Sequence, residues 1–170
     1  LLAAEGGGKA IGDFASLRQA LALERAGDNR GAESILRSLH RRPDLPSGVR
    51  KDVLAALGRR LIERSLYEEA VEPLEELVAM DRSHDGLIML AGAMLELERY
   101  EEAVQAFSAA LEFEGADTCR ALAGRSEARF SSGETGDGQR DLDMLTRTCP
   151  GYGRTAGVLL ARARSAAERM

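Results

Sequence analysis

Two stretches, Leu66–Asp81 (LYEEAVEPLEELVAMD) and Arg99–Glu114 (RYEEAVQAFSAALEFE), share the pentapeptide Tyr-Glu-Glu-Ala-Val, with Ala70 and Ala103 33 positions apart. In both, Tyr opens a helix and the glutamates sit where the positive end of its dipole favours them. In the second copy Leu87, Leu90, Ala91 and Met94 form an apolar stripe at helical spacing, and Ala103, Phe107, Ala110 and Leu111 form another. In the first copy Leu54, Leu57, Gly58 and Leu61 are answered by Tyr67, Ala70, Leu74 and Leu77, with Pro73 expected to kink its helix mildly. Each copy predicts two antiparallel helices joined by a tight turn, with a small residue at their closest approach.

The same grammar extends outward. Upstream, Leu17, Ala20 and Leu23 precede Gly27-Asp28, and Ala32, Leu36 and Leu39 follow. Downstream, Leu122, Ser126 and Phe130 precede Gly133, and Leu142 and Leu145 follow before Pro150 stops the helix. The small residues of the four second helices would be Ala32, Ala70, Ala103 and Gly138, spaced 38, 33 and 35 apart. The longer first interval is taken up by a loop at Pro43–Gly48. Composition supports helices over strands, because Ala, Leu, Glu and Arg dominate and β-branched runs are missing. With 44% hydrophobic residues, a chain of 170 residues can bury a core. No apolar run approaches the length that spans a bilayer.

The net charge of −5 conceals segregation. Residues 37–64 carry eight basic and three acidic side chains, residues 65–117 two and fourteen, and residues 118–170 nine and six. A dominant basic surface is therefore missing, and nucleic acid is not an expected partner. The acidic run Glu68, Glu69, Glu72, Glu75 and Glu76 reads as a solvated helix face. Segregation of this kind also suits steering of a charged partner.

Catalytic signals are weak. His40 and His84 are the two histidines, and neither has a partner at metal-ligand spacing; His40 reads as a solvated residue near a helix end and His84 as a turn residue. Gly6-Gly7-Gly8-Lys9 resembles a phosphate loop in part, but Ala10 stands where a magnesium-binding hydroxyl is needed. Residues 1–12 are expected to form a flexible leader. The reading is non-enzymatic, with no cofactor and no metal.

Leu57-Gly58, Tyr67, Ala70 and Leu74, repeated as Leu90-Ala91, Tyr100, Ala103 and Phe107, resemble the tetratricopeptide repeat, a helix-turn-helix unit of about 34 residues. Departures are the absence of Trp, Ser126 and Gly138 at usually small apolar positions, and Arg82 and Gly115 in place of the terminal proline. The resemblance implies an all-α, right-handed α-solenoid with repeats at 13–44, 51–83, 84–117 and 119–152. Val158, Leu159, Ala163 and Ala166 then belong to a C-terminal capping helix over 153–170, which covers the last apolar face. The strong Arg bias, 21 against two Lys, suits a bacterial source.

In such proteins a concave surface lined by first helices binds a peptide or helix. The family's spacing puts Arg59, Glu63, Ile88, Gly92, Leu95, Glu127 and Phe130 on that groove, with Gly92 leaving room for a ligand backbone. The alternative is that these residues meet the capping helix or a second copy of the chain. The chaperone-tail clamp known in some members is not expected, because Leu17, Leu21, Ala55 and Ala56 occupy its places beside Arg59. Cys119 and Cys149 fall at adjacent ends of two antiparallel helices, so a disulfide is geometrically allowed, with two packed thiols as the alternative. A disulfide implies export; without it the bacterial periplasm and the cytoplasm stay equally open. The implied function is an adaptor or scaffold for a protein or peptide partner, for instance in pilus, secretion or envelope assembly. A type III secretion translocator chaperone, or a regulatory or oligomerisation domain of a larger enzyme, are the alternatives.

Overall fold

The computed structural model describes residues 2–113, 118–152 and 154, with side chains described from residue 10 onward. Among them the chain forms helices α1 (Leu2–Arg25), α2 (Asn29–His40), α3 (Ser47–Glu63), α4 (Tyr67–Met80), α5 (His84–Glu96), α6 (Tyr100–Ala110), α7 (Thr118–Ser132) and α8 (Thr135–Thr148). A short 3-10 turn, Pro150–Tyr152, follows α8, and no strand occurs among the described residues. The helices pair as α1–α2, α3–α4, α5–α6 and α7–α8. They divide into two compact units, Leu1–Asp81 and Arg82–Met170, each with two hairpins.

One turn builds all four hairpins. Gly27, Ser65, Glu98 and Gly133 adopt φ of 84°, 57°, 60° and 88°. The next residue's N–H returns to the carbonyl five positions back: Asp28 to Leu23, Leu66 to Leu61, Arg99 to Met94 and Glu134 to Arg129. The left-handed residue itself donates to the carbonyl three back, which satisfies a second helix-end acceptor. The carbonyls of Asp28, Leu66, Arg99 and Glu134 then accept from Ala32, Ala70, Ala103 and Gly138. Those are the four small residues picked out by their spacing. Each lies in the first turn of the second helix and is buried.

The departures from the repeat pattern compensate each other. Ser126, fully buried, donates its hydroxyl to the Gly138 carbonyl at 2.9 Å across the α7–α8 contact. A Cβ on Gly138 would stand 2.8 Å from the Phe130 ring. Glycine there lets the ring fold into the last hairpin, where it packs with Leu122, Leu142, Leu145 and Cys149. In the first unit the same contact is made by Gly58 against Leu74, where a Cβ would come within 2.5 Å of Leu74 Cδ2. Cys119 and Cys149 form a disulfide with Cα atoms 5.8 Å apart, closing the open end of the last hairpin.

Two boundaries differ from the sequence reading. Residues 2–12, expected as a flexible leader, belong to α1: their four glycines weaken a helix without forbidding its dihedrals. Helix α3 starts at Ser47, because Pro46, with φ −54° and ψ 138°, is the extended residue that precedes it. Helix α4 continues through Pro73, as expected, and Pro73 is buried. The expected capping helix at 153–170 lies outside the described residues apart from Arg154.

Candidate functional site

The seven residues expected on the groove divide by unit and by burial. In the first unit Arg59 and Glu63 are exposed on α3, and Glu63 pairs with Arg60 at 2.9 Å. In the second unit Gly92 and Leu95 on α5 and Glu127 on α7 are partly exposed, and α5 packs directly on α7. Ile88 and Phe130 are each only 4% exposed. Both belong to the interior, Phe130 because Gly138 makes room for its ring. Counting back from the turn residues corrects one assignment. Ile62, Leu95 and Phe130 each lie three positions before the left-handed residue of their turn, whereas Glu63 lies two before. Ile62, partly exposed, is therefore the equivalent position in the second hairpin; the turn was legible, but the phase was set by the less regular loop lengths.

On α5, a Cβ added to Gly92 would meet nothing within 4 Å. Ile88, Gly92 and Leu95 share one face, so a half-buried strip of bare backbone is framed by two aliphatic side chains. Gly124 on α7 contrasts with it: a Cβ there would collide with the Phe107 ring, so that glycine serves packing between α6 and α7. Behind this face Asp141, 4% exposed, receives Arg125 through Nε at 2.8 Å and Nη2 at 2.7 Å, and Arg129 Nη1 at 2.7 Å. Arg125 also reaches Ser108 Oγ at 3.0 Å, tying α6, α7 and α8 together. Paired forks of this kind hold α7 in one register.

The first unit has a feature the sequence did not suggest. A cavity of about 270 Å³ opens between α2 and α4 over α3. Arg37, His40 and Arg41 form one wall, Glu69, Glu72 and Pro73 the other, and the buried Leu57 and Leu61 the floor. Arg37 bridges the walls to Glu69 at 2.7 Å. His40, expected in solvent, has its ring largely covered, and its Nδ1 is buried with no hydrogen-bond partner. A second cavity of about 280 Å³ shares Arg37 and Arg41 and adds Arg30, Glu33, Ser34 and Arg64.

Glu33 organises that second cavity. It is buried, and its carboxylate takes Arg37 Nε at 2.9 Å and Arg64 Nη1 at 2.6 Å. Burial pushes its carboxyl up, but the hydrogen bonds and charges of Arg64 and Arg37 together outweigh that and hold it below the usual range. Arg37 is held above its ordinary value by its hydrogen bonds to Glu69 and Glu33. The acidic face of α4 is thus not wholly solvated, since Glu69 serves Arg37 and Glu76 pairs with Arg50. His84 is likewise engaged, with Nδ1 3.0 Å from the Ala110 carbonyl and its ring edge against Phe113. Among the described residues no cluster could hold a metal ion, and no helix is long and apolar enough to cross a membrane.

No protein-family model matches the sequence, and no curated protein does. Solved structures do. MamA residues 41 to the end from Desulfovibrio magneticus RS-1 superpose with a TM-score of 0.74 at 18% identity, covering 92% of this chain and 89% of that one. YrrB, described as a tetratricopeptide-repeat protein with an unusual peptide-binding site, gives 0.71 at 17% identity, covering 89% and 80%. The second such domain of human RPAP3, solved with the HSP70 peptide SGPTIEEVD, gives 0.63 at 22% identity, covering 70% and 98%. Four hairpins built on one turn, together with these likenesses, show that the chain has the tetratricopeptide-repeat fold.

Proposed function

We propose that the chain is a non-enzymatic protein-interaction scaffold whose second unit holds a segment of another protein along the α5–α7 face. The observation that carries this is Gly92. A glycine inside a helix costs roughly 0.5–1 kcal/mol relative to alanine, and no neighbour requires this one, since a Cβ would meet open space. A bare, half-exposed backbone beside Leu95 is what a closely approaching peptide main chain needs, with the buried Ile88 supporting the strip from beneath. Glu127 on the adjoining helix offers a polar edge. Peptide binding by YrrB and by the RPAP3 domain supports this assignment. The Cys119–Cys149 bond supports an oxidising compartment such as the bacterial periplasm, where a scaffold in pilus, secretion or envelope assembly would work.

The test is affinity for a partner identified by capture with the wild-type chain and then purified. Gly92→Arg and Leu95→Arg should each weaken binding more than tenfold in titration calorimetry, while far-ultraviolet circular dichroism stays unchanged. Undiminished affinity in both variants would remove the α5–α7 face as the binding surface.

A further inference from the structure

We infer that the first unit carries a second, separate docking surface along α2, which takes an acidic extended peptide segment anchored by one apolar side chain. This goes beyond the reading above and lies on different helices. Arg30, Ser34, Arg37 and Arg41 recur at intervals of four, three and four, so they form one stripe along α2 and its C-cap residue, Arg41. From Arg30 to Arg41 the stripe covers eleven helical steps, about 16 Å, which matches roughly five residues of extended chain.

Charge decides the partner. The cavity under the stripe is lined by Arg30, Arg37, Arg41 and Arg64 against the single carboxylate of Glu33, an excess of three positive charges. Glu33 is already consumed by Arg37 and Arg64. Arg30 and Arg41, at the two ends of the stripe, are exposed and form no ion pair among the described residues; there Arg41 donates to the Arg37 carbonyl, at 3.2 Å. These two guanidiniums are the groups left to receive carboxylates, and the planar fork of each suits that geometry.

The adjoining cavity supplies the anchor. Its floor of Leu57 and Leu61 and the adjoining Pro73 of the wall are apolar, and its volume of about 270 Å³ accepts one aliphatic or aromatic side chain. On its wall the largely covered His40 ring, its buried Nδ1 4.0 Å from Glu76 Oε2, supplies shape and no contact to the peptide. Because the two cavities share Arg37 and Arg41, an apolar residue seated in the first leads its acidic neighbours along the second. Glu72 on the far wall disfavours acidic residues on the anchor's other side.

The probe is a fluorescein-labelled, amidated peptide, Leu-Gly-Asp-Glu-Asp-Glu, titrated into the full chain and followed by anisotropy. Wild type should bind it, with affinity falling at least tenfold between 50 and about 300 mM salt, as expected for exposed charge pairs. The double variant R30E/R41E should lose at least tenfold in affinity without loss of helical signal, since neither side chain supports the fold through an ion pair. Replacing the peptide's acids with Gln and Asn, or its Leu with Gly, should each weaken binding. Leu95→Arg should leave it intact, which separates this surface from the one on α5 and α7. No binding to wild type, equal affinity in R30E/R41E, or loss of binding in Leu95→Arg would each overturn the proposal.

Discussion

At the residue scale, the shared turn is filled unequally. Gly27 and Gly133 adopt left-handed dihedrals without steric cost, whereas Ser65 and Glu98 hold a Cβ in that region. Ser65→Gly and Glu98→Gly should therefore each raise stability by about 1 kcal/mol, or roughly 2–4 °C in melting temperature for a chain of this size. Thermal melts of the two variants check this, with Gly27→Ala and Gly133→Ala expected to shift the other way. Helix glycines separate by their surroundings in the same manner. Gly92→Ala should stabilise by roughly 0.5–1 kcal/mol, because its Cβ enters open space. Gly138→Ala should destabilise by roughly 1–3 kcal/mol, since the Phe130 ring is enclosed by Leu122, Leu142 and Leu145 and has nowhere to retreat. Urea denaturation of the pair gives opposite signs if this packing is right.

At the element scale, the hairpins were legible because each turn demands the same three things: a left-handed residue, a carbonyl four before it, and a small residue five after it. Tyr-Glu-Glu-Ala-Val encodes that join twice, and the spacing of Ala32 and Gly138 extends it. What was not legible is which side chains remain at the surface. Phe130 lies at the position of Leu95, and only the missing methyl group of Gly138, on another helix, takes it into the core. The α2–α4 cavity was hidden for a related reason. Arg37, Arg41, Glu69 and Glu72 look like two ordinary charged faces until the fold sets them as opposite walls. Glu33 shows the same long-range dependence and supplies a pH test. Its folded carboxyl titrates below its unfolded value, so the stability it contributes is present above the unfolded value near 4.5 and disappears as pH falls through the lower folded value. Glu33→Gln should lower stability by about 1–2 kcal/mol at pH 7, a figure reduced from that of a fully buried pair because Arg64 and Arg37 are partly solvated. The difference between variant and wild type should narrow as pH falls below the unfolded value near 4.5. Urea midpoints across that range measure it, and a constant difference would show that Glu33 acts through packing.

At the scale of the whole molecule, stability should be distributed by neighbour, since within each unit the two hairpins pack on one another. The disulfide then becomes a local probe. It closes a loop of about 30 residues around α7 and α8, and the chain-entropy model gives roughly 3–4 kcal/mol for such a loop. Reduction by dithiothreitol should lower the denaturation midpoint of the second unit, and Cys149→Ser should reproduce the loss and become insensitive to reductant. Hydrogen exchange shows where the loss falls. Amides of α7 and α8 should exchange faster on reduction, those of α6 less so, because the Arg125–Asp141–Ser108 network still ties α6 to α7. Amides of α2, α3 and α4 have their own core of Leu36, Leu54, Leu57, Leu61 and Leu74 and should keep their protection. Equal loss across α2–α8 would show instead that the chain opens as one cooperative body. The local outcome has a functional corollary: reduction should weaken a partner held on the α5–α7 face while leaving the acidic-peptide affinity of α2 unchanged. Paired titrations with and without reductant measure both sites on the same sample.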